Sequence, residues 1–419
     1  MRPITETVLF EDALQIVLKE AAPVTRTEIV PLAEADGRVA ARDVTASVDV
    51  PPFDRAAMDG YAVVAADTFG AGTQAAKPLT CVDRVFTGQV PARGIASGEC
   101  IEIATGAPMP AGADAVVMVE ETERDRTDPN LIRIVTPVYP RQNVGRRGAD
   151  ITRGQTVVSR DQVLNPSRIG ALAATGVTAV EVFARPSIAI LSTGNEIVPP
   201  GQPLGPGQIY DVNRFTLEAV IGRHGGTTAI LPIAADTVED LSDALMGARA
   251  HDVVVFSGGS SVGERDLILD VLRRRGDVLF HGVAVKPGKP TIFGRIAFDS
   301  AQAGPFDSAQ RRPTPVFGMP GYPTSCLSNA YMMLVPFIRK MARLPRWEPA
   351  TVEAPLARRI VSTTGRHQFY TVRLVDGRAE PAFKASGDIT SMAHADGYIE
   401  IPAQTDVVEA GTTVTVKLF

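Results

Sequence analysis

Cysteine and histidine are scarce in this sequence, and their scarcity excludes two kinds of site. The 419 residues include three cysteines and five histidines, with no C-x-x-C and no H-x-x-x-H pair. We therefore expect neither a structural zinc site nor a zinc-enzyme motif. Cys81, Cys100 and Cys326 are odd in number and far apart along the chain, so we expect a reduced protein without a disulfide framework.

Positive charge and long apolar runs are also lacking. The formal net charge is -5 at pH 7 and the pI is about 5.7, which argues against binding of nucleic acid. No apolar run reaches membrane-spanning length, and no signal-peptide core follows Met1, so we expect a cytoplasmic protein without membrane contact. The G-x-x-x-x-G-K-[ST] phosphate loop is absent as well.

The first part of the chain predicts a helix and a small β-rich domain. Apolar residues at helical spacing predict one helix over Phe10–Glu20 and another over Asn165–Gly176. Residues 49–139 are rich in Val, Gly and Pro, with short strand-like runs between turns. We therefore expect a β-rich inserted domain at 49–139, and an N-terminal helix and linker domain at 1–48 together with 140–180.

Strands alternate with helices over residues 181–345, which is typical of a doubly wound α/β domain with a parallel sheet. Ser187–Ser192, Asp252–Phe256 and Pro315–Gly318 are the apolar runs expected of buried strands. Period-two alternation after this domain predicts a small β domain at 346–419.

Four helices are expected in the α/β domain. Asn213 is the expected N-cap of the first, and Thr237 with Asp240 resembles a capping box for the second. The other two are expected over Leu267–Arg275 and from about Thr324 to Met341.

Three predicted strands end in glycine-rich turns, at Ser192–Glu196, Ser257–Gly263 and Gly318–Ser325. In open α/β sheets, ligands bind beyond the carboxyl ends of the strands, and backbone N–H groups of such turns can hold a phosphate. One such turn is more often only a tight connection, but three in one sheet favour a phosphate-bearing ligand. The expected contacts are Thr193, Gly194, Gly258, Gly259, Ser260, Ser261, Pro320, Gly321 and Ser325.

Charged residues complete the candidate site. Lys286 and Lys289 flank a Pro-Gly turn; lysine suits oxyanions, although a solvated turn explains the pair equally well. Carboxylates near the turns can bind Mg²⁺ jointly with phosphates, although each alone could be a helix cap or a surface charge. They are Asp59, Asp150, Glu196, Asp236 and Asp266. The residues therefore predict an α/β protein that binds an anionic, nucleotide-like ligand with a divalent metal.

Several long strings, in the same order, resemble the molybdopterin molybdenumtransferase family, which comprises the bacterial MoeA proteins and the gephyrin E domain. They are Pro51–Val63, Thr105–Val117, Ser257–Gly263 and Lys286–Pro290. The resemblance covers nearly the whole chain. It implies a four-domain subunit with a MogA-like α/β domain for nucleotide and pterin, and a small C-terminal β-barrel. It also implies a homodimer whose active site combines the α/β domain of one subunit with the β-rich insertion of the other.

The family's reaction is the insertion of molybdate into adenylylated molybdopterin, with Mg²⁺-dependent release of AMP, in molybdenum cofactor biosynthesis. The implied partners are the upstream adenylyltransferase and molybdoenzymes or their chaperones. By resemblance, the five carboxylates match acidic active-site positions, and Glu196 and Asp266 would bind the metal. Lys286 and Lys289 match basic positions near the oxyanion, and Arg366 and Ser386 match positions implicated in molybdate binding.

The sequence departs from the family pattern beside the site, which leaves nucleotide-binding detail and metal choice open. The departures are Arg55, Ala56, Asn195, Thr237, Ser260, Tyr322 and Thr324. Three alternatives also stay open: an adenylyltransferase-like enzyme, a tungsten-selective insertase and a non-catalytic scaffold. The additional β domains and the retained Asp59 and Asp150 favour the insertase over the adenylyltransferase. The polar stretch Asp299–Arg312 is expected to be a mobile loop insertion.

Overall fold

The computed structural model describes residues 6–235, 237–258, 267–296 and 313–419. The chain forms two compact units. The large unit combines Met1–Glu28 with Phe183–Phe419, and the small unit is Ile29–Val182. Each hydrophobic cluster of the described residues lies within a single unit, so each unit has its own core.

The first helix, α1 (Phe10–Glu20), has the predicted bounds but belongs to the large unit. Its apolar stripe, with Ala13 and Val17 fully buried, joins a cluster with residues of the helix that ends at Met341. The domain division expected from the sequence instead places this helix with residues 140–180. Its partner lies more than 300 residues further along, and periodicity alone does not identify such a partner.

The small unit contains short strands, one α-helix and three 3₁₀ turns. The elements are β1 (Thr27–Pro31), β2 (Val44–Thr45), β3 (Arg55–Ala56), β4 (Gly60–Val63), β5 (Lys77–Val85), β6 (Glu99–Ile103), β7 (Ala115–Met118), β8 (Thr122–Arg124), β9 (Leu131–Ile134), β10 (Val144–Gly145), β11 (Thr156–Val158), α2 (Pro166–Ala174) and β12 (Ala179–Phe183), with 3₁₀ turns at Leu32–Glu34, Ala65–Thr68 and Val119–Glu121.

One sheet, in the order β7-β4-β6-β5-β9-β8, forms the β-rich part of this unit. Alternate residues enter clusters on its two faces: Tyr61 and Val63 lie in one cluster, and Ala62 lies in the other. Cys81 and Cys100, far apart in sequence, are directly paired on β5 and β6. Two-stranded ribbons and α2 complete the unit, and the Asn165 side chain caps α2 by accepting from the Arg168 N–H at 2.9 Å.

The large unit continues with an α/β domain. Its elements are β13 (Ser187–Ser192), β14 (Ile197–Val198), β15 (Ile209–Tyr210), α3 (Asn213–Arg223), β16 (Thr227–Ile230), α4 (Val238–Ala248), β17 (Val253–Ser257), α5 (Leu267–Arg275), β18 (Gly276–His281), β19 (Val285–Lys286), β20 (Ile292–Ile296), β21 (Thr314–Met319), α6 (Pro323–Asn329), a π turn (Ala330–Leu334) and α7 (Val335–Met341).

The sheet of this domain has the order β16-β13-β17-β21-β20-β18, with helices packed on both faces. The pairs among β16, β13, β17 and β21 are parallel, as predicted. The pairs of β20 with β21 and with β18 are antiparallel, which the sequence analysis did not predict. The sheet is therefore doubly wound with an antiparallel edge.

Two helix predictions need correction. The first residue of α3 is Asn213, and its N-cap is Val212 without a side-chain cap bond; Asp211 accepts from the Arg214 N–H instead, at 3.1 Å. The long helix is interrupted by the π turn, because Pro336 has no N–H for a regular α-helical bond. The Thr237 cap of α4 and the bounds of α5 are confirmed.

The C-terminal part of the large unit is a β domain, as predicted. Its elements are β22 (Thr351–Pro355), β23 (Ile360–Val361), β24 (His367–Val375), β25 (Arg378–Pro381), α8 (Thr390–Ala393), β26 (Gly397–Ile401), β27 (Val407–Val408) and β28 (Thr413–Leu418). The main sheet has the order β19-β24-β26-β28-β22, with β25 also on β24. The edge strand β19 (Val285–Lys286) lies between β18 and β20 of the α/β domain along the chain, so that domain contributes one strand to this sheet. In the described parts of the chain, every helix is too short or too polar to cross a bilayer.

Candidate active site

The three glycine turns meet at the carboxyl ends of β13, β17 and β21. The Thr193 N–H donates to the Ser257 carbonyl at 3.0 Å. Gly258 has φ +99°, and a Cβ there would lie 2.4 Å from the Thr193 carbonyl oxygen, so this close approach requires glycine. A Cβ on Gly321 would lie 3.6 Å from the Gly258 Cα. The neighbouring parallel strands thus bring Ser257 and Gly258, the described residues of the second turn, into contact with the first turn and the third.

Glu196 lies over the first turn. Gly194 has φ +137°, and a Cβ there would lie 2.6 Å from the Glu196 Oε2, so the carboxylate packs on the bare backbone. The Glu196 residue itself is exposed to solvent. Thr193 is 1% exposed, and its hydroxyl has no hydrogen-bond partner among the described residues. The turn therefore offers an exposed carboxylate beside an unsatisfied buried hydroxyl.

Buried polar side chains support these turns from below. Asp211, which is 4% exposed, accepts from the Ser192 Oγ at 2.5 Å and from the Arg214 N–H at 3.1 Å. The Asn213 Nδ2 donates to the Gly321 carbonyl at 2.8 Å. The start of α3 thus joins the first turn to the third.

Pro320 and Ser325, the other predicted contacts of the third turn, are both buried. Ser325 is 3% exposed in the first turn of α6. The Ser325 carbonyl accepts from the Ser328 hydroxyl at 3.1 Å. Burial raises the pKa of the adjacent Cys326 thiol to about 12, so this thiol stays protonated at neutral pH. The turn presents backbone and hydroxyl groups rather than a thiolate.

The Lys286–Lys289 turn lies against the C-terminal β domain. The Lys286 Nζ donates to the Thr363 hydroxyl at 2.7 Å. The Lys289 carbonyl accepts from the Val283 N–H and the Thr291 N–H, each at 2.9 Å. Thr363 was not predicted, because a lone threonine in a loop carries no pattern that marks it as a contact.

Strand pairing brings the Arg366 backbone next to the same turn. His367, the next residue, is the register partner of Val285, and its N–H donates to the Ala284 carbonyl at 2.8 Å. The edge strand β19 therefore places Lys286 beside the start of β24. Lys286 on β19 and Arg366, which directly precedes β24, are thus brought together although they are far apart in the sequence.

The loop that contains Ser386 packs on the third glycine turn. The Ser386 carbonyl accepts from the Thr324 N–H at 3.2 Å, and the Thr324 hydroxyl donates to the Asp388 carbonyl at 3.0 Å. A Cβ on Gly387 would lie 3.8 Å from the Tyr322 ring. Tyr322 and Thr324, two departures from the family pattern, are thus the residues that meet this loop.

The small unit contains the other two acidic candidates. Asp59 is exposed, and its Oδ1 accepts from the Thr105 N–H at 2.6 Å; this bond holds the pKa of Asp59 below its usual range. Asp59 lines a cavity of about 200 Å³ together with Tyr61, Arg84 and Phe86. Thr105 begins one of the strings that carry the family resemblance, but no sequence pattern marks it as the hydrogen-bond partner of Asp59.

Asp150 lies elsewhere in the same unit. Its N–H donates to the Val50 carbonyl at 3.0 Å. The chain runs antiparallel here, with Val50 bridged to Ile151 and Arg55 paired with Gly145. Asp59 follows the opposite end of this ribbon, so the two carboxylates lie on neighbouring segments but at different ends.

Two arginines converge beside the Asp59 cavity. The Arg84 and Arg124 guanidinium groups lie 2.9 and 2.6 Å from the Glu102 carboxylate. Arg124 also donates to the Tyr61 hydroxyl at 3.0 Å. Its hydrogen bonds to Tyr61 and to Glu102 raise the pKa of Arg124 above its usual value. The Asp59 cavity is thus lined by a hydrogen-bonded network of fixed charges that sequence patterns did not predict.

Several predicted site residues lie outside the described residues. They are Asp236, Gly259, Ser260, Ser261, Asp266 and the stretch Asp299–Arg312. Within the described ranges, no group of three or more His, Cys, Asp or Glu side chains is placed to hold a metal. Of the two predicted metal ligands, Glu196 lies within the described residues and Asp266 lies outside them.

Three family models match consecutive parts of the chain. The MoeA N-terminal region (domain I and II) matches residues 8–176. A family described as "Probable molybdopterin binding domain" matches residues 189–340. The MoeA C-terminal region (domain IV) matches residues 353–419.

Individual proteins are similar over nearly their whole length. A molybdopterin molybdenumtransferase of Haemophilus influenzae is 31% identical over 94% of this chain and 94% of its own. Molybdopterin molybdenumtransferase 2 of Mycobacterium tuberculosis is 32% identical over 96% of this chain and 97% of its own. The crystal structure of the molybdopterin biosynthesis MoeA protein from Pyrococcus horikosii is 39% identical, covers 99% of both chains and has a TM-score of 0.81.

Proposed function

Because the chain belongs to the molybdopterin molybdenumtransferase family, we propose that it inserts molybdate into adenylylated molybdopterin with release of AMP. It is a transferase of molybdenum cofactor biosynthesis, as its relatives are named. The observation that carries the proposal is the meeting of three glycine turns in one sheet, with the Lys286 turn on an edge strand shared with the C-terminal domain.

The glycine turns suit the nucleotide and the pterin phosphate. Turns at the carboxyl ends of parallel strands present main-chain N–H groups of the kind that hold a phosphate. Lys286 and Lys289 would attract the doubly charged oxyanion, and Arg366 and Ser386 belong to segments that meet the same domain. The sulfur ligands of molybdenum come from the pterin, so the enzyme needs no cysteine cluster.

We propose Mg²⁺ at the first turn, with Glu196 as one of its ligands. The exposed Glu196 carboxylate is a hard oxygen donor of the kind that Mg²⁺ prefers, and Asp266 would be its second ligand. When bound, Mg²⁺ would neutralise phosphate charge and stabilise the AMP leaving group. Asp59 and Asp150 are proposed as catalytic carboxylates from the small unit. We also propose a homodimer in the cytoplasm, which receives its substrate from the upstream adenylyltransferase and passes the product to molybdoenzymes or their chaperones.

Release of AMP tests this function directly. Purified protein is loaded with adenylylated molybdopterin and Mg²⁺, and AMP is measured with molybdate, with tungstate and with neither. Release that depends on molybdate supports the insertase, and release that depends on tungstate alone supports the tungsten-selective alternative. No release under any condition contradicts the proposal and favours a scaffold.

The two lysines provide a residue-level test. Replacing both Lys286 and Lys289 with Ala should raise the half-saturating molybdate concentration by roughly 100-fold, because two hydrogen-bonded charges on a dianion are lost. The control variant replaces Lys19 and Lys340 with Ala, which changes the net charge equally at positions on α1 and α7. An unchanged molybdate requirement in the first variant would exclude these lysines as the anion site.

A further inference from the structure

Asn329 is a buried polar residue directly beneath the Lys286–Lys289 turn. It is fully buried at the end of α6. Its Nδ2 donates to the Gly288 carbonyl at 2.9 Å and to the Thr291 hydroxyl at 2.5 Å. The Thr291 hydroxyl in turn donates to the Gly288 carbonyl at 2.8 Å. One carbonyl in the middle of the basic turn thus accepts from two buried side chains.

The Asn329 amide also packs on the bare backbone of the turn. Gly288 has φ +102°, and a Cβ there would lie 2.3 Å from the Asn329 Nδ2. A side chain at position 288 would therefore displace Asn329, and the backbone angle alone disfavours one. The contact between the Asn329 amide and Gly288 therefore sets the distance between the backbone of the turn and α6.

This arrangement carries an energetic cost that packing alone does not explain. The Asn329 Oδ1 is buried without a hydrogen-bond partner among the described residues. Burying a polar side chain with an unsatisfied acceptor is costly compared with an apolar residue of the same size. Such a cost is typical of a residue that holds other groups in a defined geometry.

We infer that Asn329 is a positioning residue for oxyanion binding, which holds the backbone between Lys286 and Lys289 so that both ammonium groups face one anion. The inference rests on the proposed function, because it takes the two lysines as the oxyanion site. Asn329 acts through the turn and does not touch substrate. Its loss should therefore change the molybdate requirement more than the maximal rate.

The test uses the full-length enzyme with Asn329→Leu, which keeps the size of the side chain, and Asn329→Ala. The half-saturating molybdate concentration should rise about tenfold or more, the effect typical of residues that orient a binding group, while the rate at saturating molybdate stays within about twofold. Amide hydrogen exchange should accelerate at Val283 and Thr291, which donate to the Lys289 carbonyl. Ser242→Ala is the matched control, because it removes a buried hydroxyl that accepts from Arg275 in the other helix layer.

The lysine variant separates this inference from the function it rests on. With Lys286 and Lys289 both replaced by Ala, adding Asn329→Leu should not raise the molybdate requirement further, because Asn329 acts through them. A further rise there, or unchanged exchange at Val283 and Thr291 in Asn329→Leu itself, overturns the positioning role. An unchanged molybdate requirement in the lysine variant alone overturns the proposed oxyanion site instead.

Discussion

Lys286 is held by a side chain of another domain. Its ammonium group donates to the Thr363 hydroxyl at 2.7 Å, and Thr363 lies in the loop between β23 and β24 of the C-terminal domain. A hydroxyl that accepts from an ammonium group keeps its own proton for another acceptor. Thr363 can therefore orient Lys286 and still donate to an anion bound there.

Replacing Thr363 with Val, which has nearly the same shape, should raise the half-saturating molybdate concentration about three- to tenfold, the worth of one neutral hydrogen bond. Steady-state AMP release at varied molybdate measures it. Thr364→Val, which removes the neighbouring hydroxyl bonded to Asp406, is the matched control. Equal requirements in the two variants would speak against a role of Thr363 at the anion.

The paired thiols of the small unit have opposite acidities. A hydrogen bond from the Cys100 thiol is the main cause that lowers the pKa of Cys81 to about 6. The bond to Cys81 and burial raise the pKa of Cys100. Spacing along the chain argues against a disulfide framework, but a parallel strand pair brings these two cysteines together. All three cysteines are free thiols.

Alkylation with iodoacetamide should therefore modify Cys81 with a rate that rises through a midpoint near pH 6. The sign follows from the lowered pKa, because the reactive thiolate exists above the midpoint and is lost below it. Cys100→Ala should move the midpoint up toward about 8.5, the value of an unperturbed thiol. Peptide mass spectrometry locates the modified residue, and a wild-type midpoint near 8.5 would contradict the assignment.

Among whole elements, α3 illustrates what short-range signals leave open. Asn213 is the N-cap expected from the sequence. The structure uses Asp211, because its carboxylate also accepts from the buried Ser192 hydroxyl. The Asn213 side chain donates to the Gly321 carbonyl instead. The tertiary partners, which a local pattern does not contain, decide between the two.

Asp211→Ala should lower the free energy of unfolding by about 2 kcal/mol or more, because it removes the acceptor of the Arg214 N–H at the start of α3 and leaves the buried Ser192 hydroxyl unpaired. Asp211→Asn retains an acceptor oxygen and should lose about half as much. Urea denaturation followed by fluorescence of the single Trp347, which lies in the same unit, measures both. A loss below about 0.5 kcal/mol in Asp211→Ala would show that neither bond contributes.

The antiparallel edge of the α/β sheet was open to prediction from its connections. Only residues 282–291 separate β18 from β20, and a parallel crossover needs a dozen or more residues. These two strands are not among those predicted from the sequence, since Gly276–His281 follows α5 directly and is too short to be separated from the helix by its pattern. The π turn was less accessible, because Pro336 indicates a helix irregularity but not its type.

At the scale of the whole molecule, buried runs and helical spacing predict the α/β domain, and period-two alternation predicts the C-terminal β domain, because these signals are local and strong. The division into units was not predicted. The helix α1 packs in the large unit, and the apolar spacing of a helix does not show which element it packs against. Site prediction had a similar limit. Glycine turns and lysines carry local patterns, whereas Asn329, Thr363 and Thr105 act through contacts made only in the fold.

The small unit should fold when expressed by itself as residues 29–182. Three hydrophobic clusters lie entirely within it, and no cluster of the described residues is shared with the large unit. Three independent cores in a chain of this length suffice for a stable domain. We expect a dispersed proton–nitrogen NMR spectrum and a cooperative urea transition.

Asn165→Ala in this fragment should lower the unfolding free energy by about 1 kcal/mol through loss of the α2 cap, whereas Asn165→Asp should not. A collapsed spectrum without a transition would mean that the unit depends on the rest of the chain.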